Sequence, residues 1–79
     1  MENLTDKDIK EYYLKIGKNV AKIRKENGLS QLDLALKIGH KSSSQISSCE
    51  ICYKNYRFNI EQLYRISCVL NVDICEFFK

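Results

Sequence analysis

The residues best equipped for chemistry are four cysteines and one histidine. Cys49 and Cys52 form a C-x-x-C pair, and Cys68 and Cys75 follow. Thiolates are natural zinc ligands, and the 15 residues between Cys52 and Cys68 suit the usual gap between two ligand pairs. The second pair breaks the pattern, because six residues and a helix junction separate Cys68 from Cys75. Helical periodicity also needs Cys49 as a core residue. The expectation is no metal and no cofactor, with the thiols filling space as small apolar groups. A zinc site, or a thiol switch at Cys68 or Cys75, is the alternative. His40 has no ligand partner nearby in sequence and reads as a turn residue. No glycine-rich phosphate loop, no nucleophile with a base and no converging carboxylate pair is present, so the chain is not expected to be an enzyme.

A second constellation binds rather than reacts. Ser42, Ser43, Ser44, Gln45, Ser47 and Ser48 crowd one short segment, with Lys41 before it and Lys54, Asn55 and Arg57 after it. Serine is a poor interior helix former, so this choice does not serve folding. Short hydroxyls reach base edges but cannot make the bidentate pairs that discriminate strongly. On the recognition helix that the resemblance set out below implies, Ser43, Ser44, Ser47 and Ser48 are the outward set and candidate base readers of modest power, with Gln45 at the margin, and DNA shape carries a larger share. Lys41, Lys54, Asn55 and Arg57 bracket them as candidate phosphate contacts. Tyr53 and Tyr56 add hydroxyls or merely pack. The plain alternative is a solvated face that binds DNA weakly and without sequence preference.

The chain's bulk properties are compatible with that reading. Seventy-nine residues make a single domain over 1–79, and a domain this size buries only about 60% of its unfolded surface. Dimerisation commonly remedies that shortage. The net charge is only +3. Residues 1–28 carry seven basic and five acidic groups, residues 29–58 four and two, and residues 59–79 two and three. The positive excess lies in the first two-thirds, as expected where one end meets phosphate and the other a partner. Ordinary charge scatter would look the same. No apolar run approaches 18 residues, and Met1–Lys10 is too polar for a secretory signal. A cytoplasmic protein with reduced cysteines and no membrane partner is expected.

Helices must position these groups, since no alternating strand pattern of useful length occurs. Thr5 with Asp8 reads as a capping box. Ile9, Tyr13, Ile16, Val20 and Ile23 then recur at helical steps, and Gly28 closes the helix. Ser30 with Asp33 opens a short apolar helix holding Leu32, Leu34, Ala35, Leu36 and Ile38, which Gly39 ends. Ser42 is read as the cap of a third helix, Ser43 to about Ile51, whose large apolar or thiol residues are Ile46, Cys49 and, at its end, Ile51, with Ile46 and Cys49 inward. Cys52 to Phe58 reads as a loop. Asn59 with Gln62 opens a fourth helix whose inward stripe is Leu63, Ile66 and Leu70. Asp73 and Glu76 open a last short helix holding Ile74, Phe77 and Phe78.

Helix, tight turn with glycine, second helix is the DNA-binding helix-turn-helix geometry. The segment from Val20 to Phe78 resembles the family of phage repressors, Cro proteins and restriction–modification controller proteins. The stretches that carry the likeness are NVAKIRKENGLSQLDLALKIG, QISSCE and IEQLYRISCVLNV, in matching order and spacing. The resemblance implies an all-α, five-helix repressor-like fold with an extended first helix, its motif over about 31–51. It implies that Gln31 touches a phosphate from a helix N-terminus, where free amides favour an anion. Ala35 matches the small residue at the crossing of the motif helices, and Ile46 the buried anchor of the recognition helix. Arg24 and Glu50 match an acid–base pair that fixes the recognition helix. Two departures stand out. The turn at His40–Ser44 has one residue more than the phage repressor pattern, and the loop between Glu50 and Leu63 is about two residues longer and lacks the usual glycine and proline.

The resemblance further implies a symmetric contact through about 59–79, with Ile74, Phe77 and Phe78 as candidate interface residues. The expected function is a sequence-specific transcriptional regulator, a repressor or controller protein, binding a palindromic operator as a homodimer. Its half-sites would lie about one turn, roughly 34 Å, apart. The alternative is an antitoxin or adaptor that uses the same fold to bind a protein.

Overall fold

A computed structural model describes residues 4–79. It contains four α-helices: α1 (Asp6–Glu26), α2 (Gln31–Lys37), α3 (Ser44–Ile51) and α4 (Ile60–Leu70). Two 3₁₀ turns, Tyr53–Asn55 and Ile74–Phe78, complete it, and there is no strand among the described residues. The five-helix expectation is therefore corrected to four. The last element is only five residues long, and Asp73 caps it through the Cys75 amide at 2.8 Å. So short a piece at the end of the chain closes as the tighter 3₁₀ form.

Local chemistry sets most boundaries. Thr5 and Asp8, Ser30 and Asp33, and Asn59 and Gln62 each form a reciprocal capping box. Bonds from Ser30 hold the Asp33 carboxyl below its ordinary range. Gly28 at φ 72° and Gly39 at φ 94° follow the ends of α1 and α2, in a conformation that suits glycine. Asn71 at φ 56° ends α4 the same way. The start of α3 departs from expectation. Ser43, not Ser42, occupies the cap position, and its side chain makes no cap bond. Ser42 Oγ lies 3.5 Å from the Ser44 amide, too long for a firm cap.

One core lies between the helices. Val20 from α1, Leu34 and Ala35 from α2, Ile46 and Cys49 from α3, and Leu63, Ile66 and Leu70 from α4 are all buried. Phe77 fills its centre and is wholly buried. The C-terminal turn is tied to α1 by Asn19, whose amide donates to the carbonyl of Phe77 at 2.9 Å. Phe77 is thus spent on the core of its own chain, where the sequence had offered it as an interface candidate. Ile74 and Phe78 are half-buried against the same core.

Two close approaches orient the motif. Ala35 is fully buried in α2 beside α3. Gly17 lies inside α1, where a Cβ would collide with the carbonyl oxygen of Glu50 and stand 2.9 Å from that of Cys49. Only glycine allows α1 this near to the backbone of α3.

Candidate nucleic-acid interface

The candidate interface is held from behind α3. Arg24 Nε donates to Glu50 Oε2 at 2.8 Å and Arg24 Nη2 donates to Glu50 Oε1 at 3.1 Å, a bidentate pair in which both residues are 5% exposed. Arg24 Nη1 donates to the Leu29 carbonyl at 2.9 Å. Gln31 donates its amide to Glu50 Oε1 at 2.9 Å. One carboxylate therefore joins the end of α1, the start of α2 and the end of α3. An amide nitrogen carries two hydrogens, so Gln31 keeps one for an outside acceptor.

Ile46 and Cys49 seat α3 in the core, at 1% and 2% exposure. Turned outward are Ser44 and Gln45, both exposed, while Ser43, Ser47 and Ser48 are half-buried. Ser47 Oγ donates to the Ser44 carbonyl at 3.0 Å, which leaves its lone pairs free to accept. Ile51 closes the helix 66% exposed, so it does not belong to the inward set. An exposed isoleucine at the end of this face was not among the outward residues the sequence singled out.

Lys41 stands exposed in the turn before α3. His40 is half-buried there, and its amide donates to the Ala35 carbonyl at 2.9 Å. After α3, Cys52, Lys54 and Asn55 all take positive φ, at 54°, 49° and 66°. The loop has no glycine to take these left-handed positions. Asparagine accepts them readily, whereas lysine does so with strain. The turn projects Lys54 and Asn55 into solvent together with Tyr53 and Tyr56. Lys54 Nζ sits 5.4 Å from the centre of the Tyr53 ring.

Arg57 is placed differently from an open phosphate clamp. Its guanidinium carbon lies 4.5 Å from the centre of the Tyr13 ring, and its Nε is buried with no hydrogen-bond partner among the described residues. A planar cation stacked on an aromatic face favours holding the loop against α1.

The thiols divide in two. Cys49 and Cys52 are buried and Cys68 and Cys75 exposed. Burial, with Cys52 adding to it, pushes the Cys49 thiol up to about 11, so it stays protonated and unreactive at neutral pH. Among the described residues no three His, Cys, Asp or Glu side chains cluster to hold a metal ion.

A family model described as helix-turn-helix matches residues 20–77, from the middle of α1 to the buried phenylalanine of the last turn. The chain belongs to this family, that of the phage repressors and Cro-like proteins. No curated protein and no solved structure matches it. The family is one of DNA-binding regulators, not of enzymes. In this helix-turn-helix protein α2, α3 and α4 lie within the matched region, and residues 6–19 of α1 extend ahead of it. No helix is long and apolar enough to cross a membrane among the described residues.

Proposed function

We propose that this helix-turn-helix protein is a sequence-specific transcriptional regulator that binds a palindromic operator as a homodimer, in the cytoplasm where that DNA lies. The observation that supports it best is α3 itself. Its inner side is fixed by Ile46, Cys49 and the Glu50 pair, and its outer side offers small hydrogen-bonding groups. In this reading Ser44 and Gln45 meet base edges first, and Ser43, Ser47 and Ser48 contribute from the margin. Ile51 offers an apolar contact to a thymine methyl. Lys41, Lys54 and Asn55 hold phosphates on either side, and Gln31 contributes its remaining amide hydrogen.

The test is selection from random duplex DNA, followed by titration at several salt concentrations. A palindrome with half-sites about one helical turn apart is expected. Lys41→Ala and Lys54→Ala should each weaken all sequences alike and lower the salt slope by about one. Binding with no sequence preference would refute the reading. The low net charge of +3 and the uncharged outer face of α3 favour one other function, an antitoxin or adaptor that binds a protein. Stoichiometric co-purification with a toxin or enzyme would establish it.

A further inference from the structure

The loop after α3 holds an arginine that its stacking does not explain. Arg57 lies over the Tyr13 ring with its Nε buried and unpartnered, and it joins no ion pair among the described residues. A buried donor left without a partner costs stability. A leucine would cover the same ring without that cost. Stacking occupies the flat face of the guanidinium and leaves the terminal N–H donors at its edge. Nε alone is both buried and unpartnered, so those donors remain to bind.

Lys10 stands beside it. It precedes Tyr13 by three residues and Gly17 by seven, so the three share one face of α1. Gly17 sets that face against the end of α3. Burial pushes the Cys52 thiol up, and the charges of Arg57 and Lys10 both draw it back, so the two cations flank one point. Lys10 is exposed and in no ion pair among the described residues. Asp6, one turn earlier, is also exposed and pairs with neither cation. No acid occurs between Ile51 and Ile60. Lys10 and Tyr13 precede the family match, which starts at residue 20, and Arg57 falls within it.

Resting on the regulator reading above, we infer that Lys10 and Arg57, with Tyr13 as the brace, form a phosphate grip that the forward extension of α1 adds to the DNA contact. The loop runs straight on from α3 and already turns Lys54 and Asn55 outward. Its left-handed residues Cys52, Lys54 and Asn55 hold it in one arrangement at a cost in strain, as binding clamps often do. A planar fork fixed on a ring, with a mobile ammonium beside it, fits the paired oxygens of a phosphodiester. Such a contact carries affinity and register but no sequence. With Lys10 exposed and Arg57 half-buried, the grip is an open ridge over which a strand passes, not an enclosed site for a small phosphate ester.

The test is titration of the selected operator and of random duplex against salt, joined to phosphate ethylation interference. Lys10→Gln should melt like the parent and lower the salt slope by about one on both DNAs. It should also relieve interference at a phosphate that Lys54→Ala leaves blocked. Tyr13→Leu should lose the same contact, and Tyr13→Phe, which keeps the ring, should retain it. Lys15→Gln is the control: five residues on, it points about 140° away around α1 and should leave the slope unchanged. If Lys54→Ala lowers the slope and Lys10→Gln does not, the grip is overturned and the regulator stands. A slope lowered equally by Lys15→Gln shows a diffuse field and also overturns the grip. A parent that binds no duplex overturns both. Saturable binding of inorganic phosphate to the parent without DNA, lost in Lys10→Gln, would make this a small-ligand site and refute the backbone assignment.

Discussion

At Glu50 three donors meet one buried carboxylate. Arg24 supplies two of them and Gln31 the third. Breaking a buried pair from one side strands a charge, typically at about 3–5 kcal/mol, whereas an apolar pair of similar volume is often neutral. Glu50→Ala should therefore lower unfolding free energy by about that amount in urea titration, and Arg24→Met with Glu50→Leu should cost much less than the sum of the single changes. Cys49 gives a pH signature. Its native thiol titrates near 11 against an ordinary 9.0, so the unfolded chain loses this proton first. The contribution is fully present below pH 9 and disappears as pH rises towards 11. Cys49→Ser should flatten that alkaline decline, as followed by thermal melts between pH 8 and pH 11, though it lowers overall stability by placing a hydroxyl in the core.

Elements meet where the sequence gives least warning. Gly17 is an interior helical residue, and exposed Gly→Ala changes favour a helix by about 1 kcal/mol. Here the added Cβ would strike the Glu50 carbonyl, a backbone atom that cannot rotate aside. Gly17→Ala should instead destabilise by about 1–3 kcal/mol in chemical denaturation, the usual cost of overpacking. The capping boxes at Thr5, Ser30 and Asn59 were legible because each is a conversation between residues three apart. Leu63, Ile66 and Leu70 were legible because their period is helical and their face buried. Gly17 was not, since its partner lies across the fold. Nor was the stacking of Arg57 on Tyr13, which gives a basic residue of the loop after α3 a structural use. The loop after α3 read as irregular for lack of periodicity, yet it folds as a defined 3₁₀ turn with three left-handed residues.

For the molecule as a whole, the C-terminal turn is structural. Phe77 joins α1, α4 and the turn in one core, and Asn19 fastens the turn from outside. Phe77→Ala should cost about 3–5 kcal/mol, comparable to the entire stability of so small a domain. Circular dichroism should show a largely unfolded chain at low concentration, whereas a folded, stable monomer would contradict this assignment. One shared core draws on all four α-helices.

The two sides of α3 have no residue in common. Ile46, Cys49 and Glu50 answer to the fold, while Ser44, Gln45 and Ile51 answer only to what lies outside it. Such a helix is a replaceable key in a fixed bow. Its outer positions can be rewritten as a set, with arginine or asparagine for serine, without disturbing the lock that holds it. On the regulator reading proposed above, variants so made would melt alike and differ in the sequence they select.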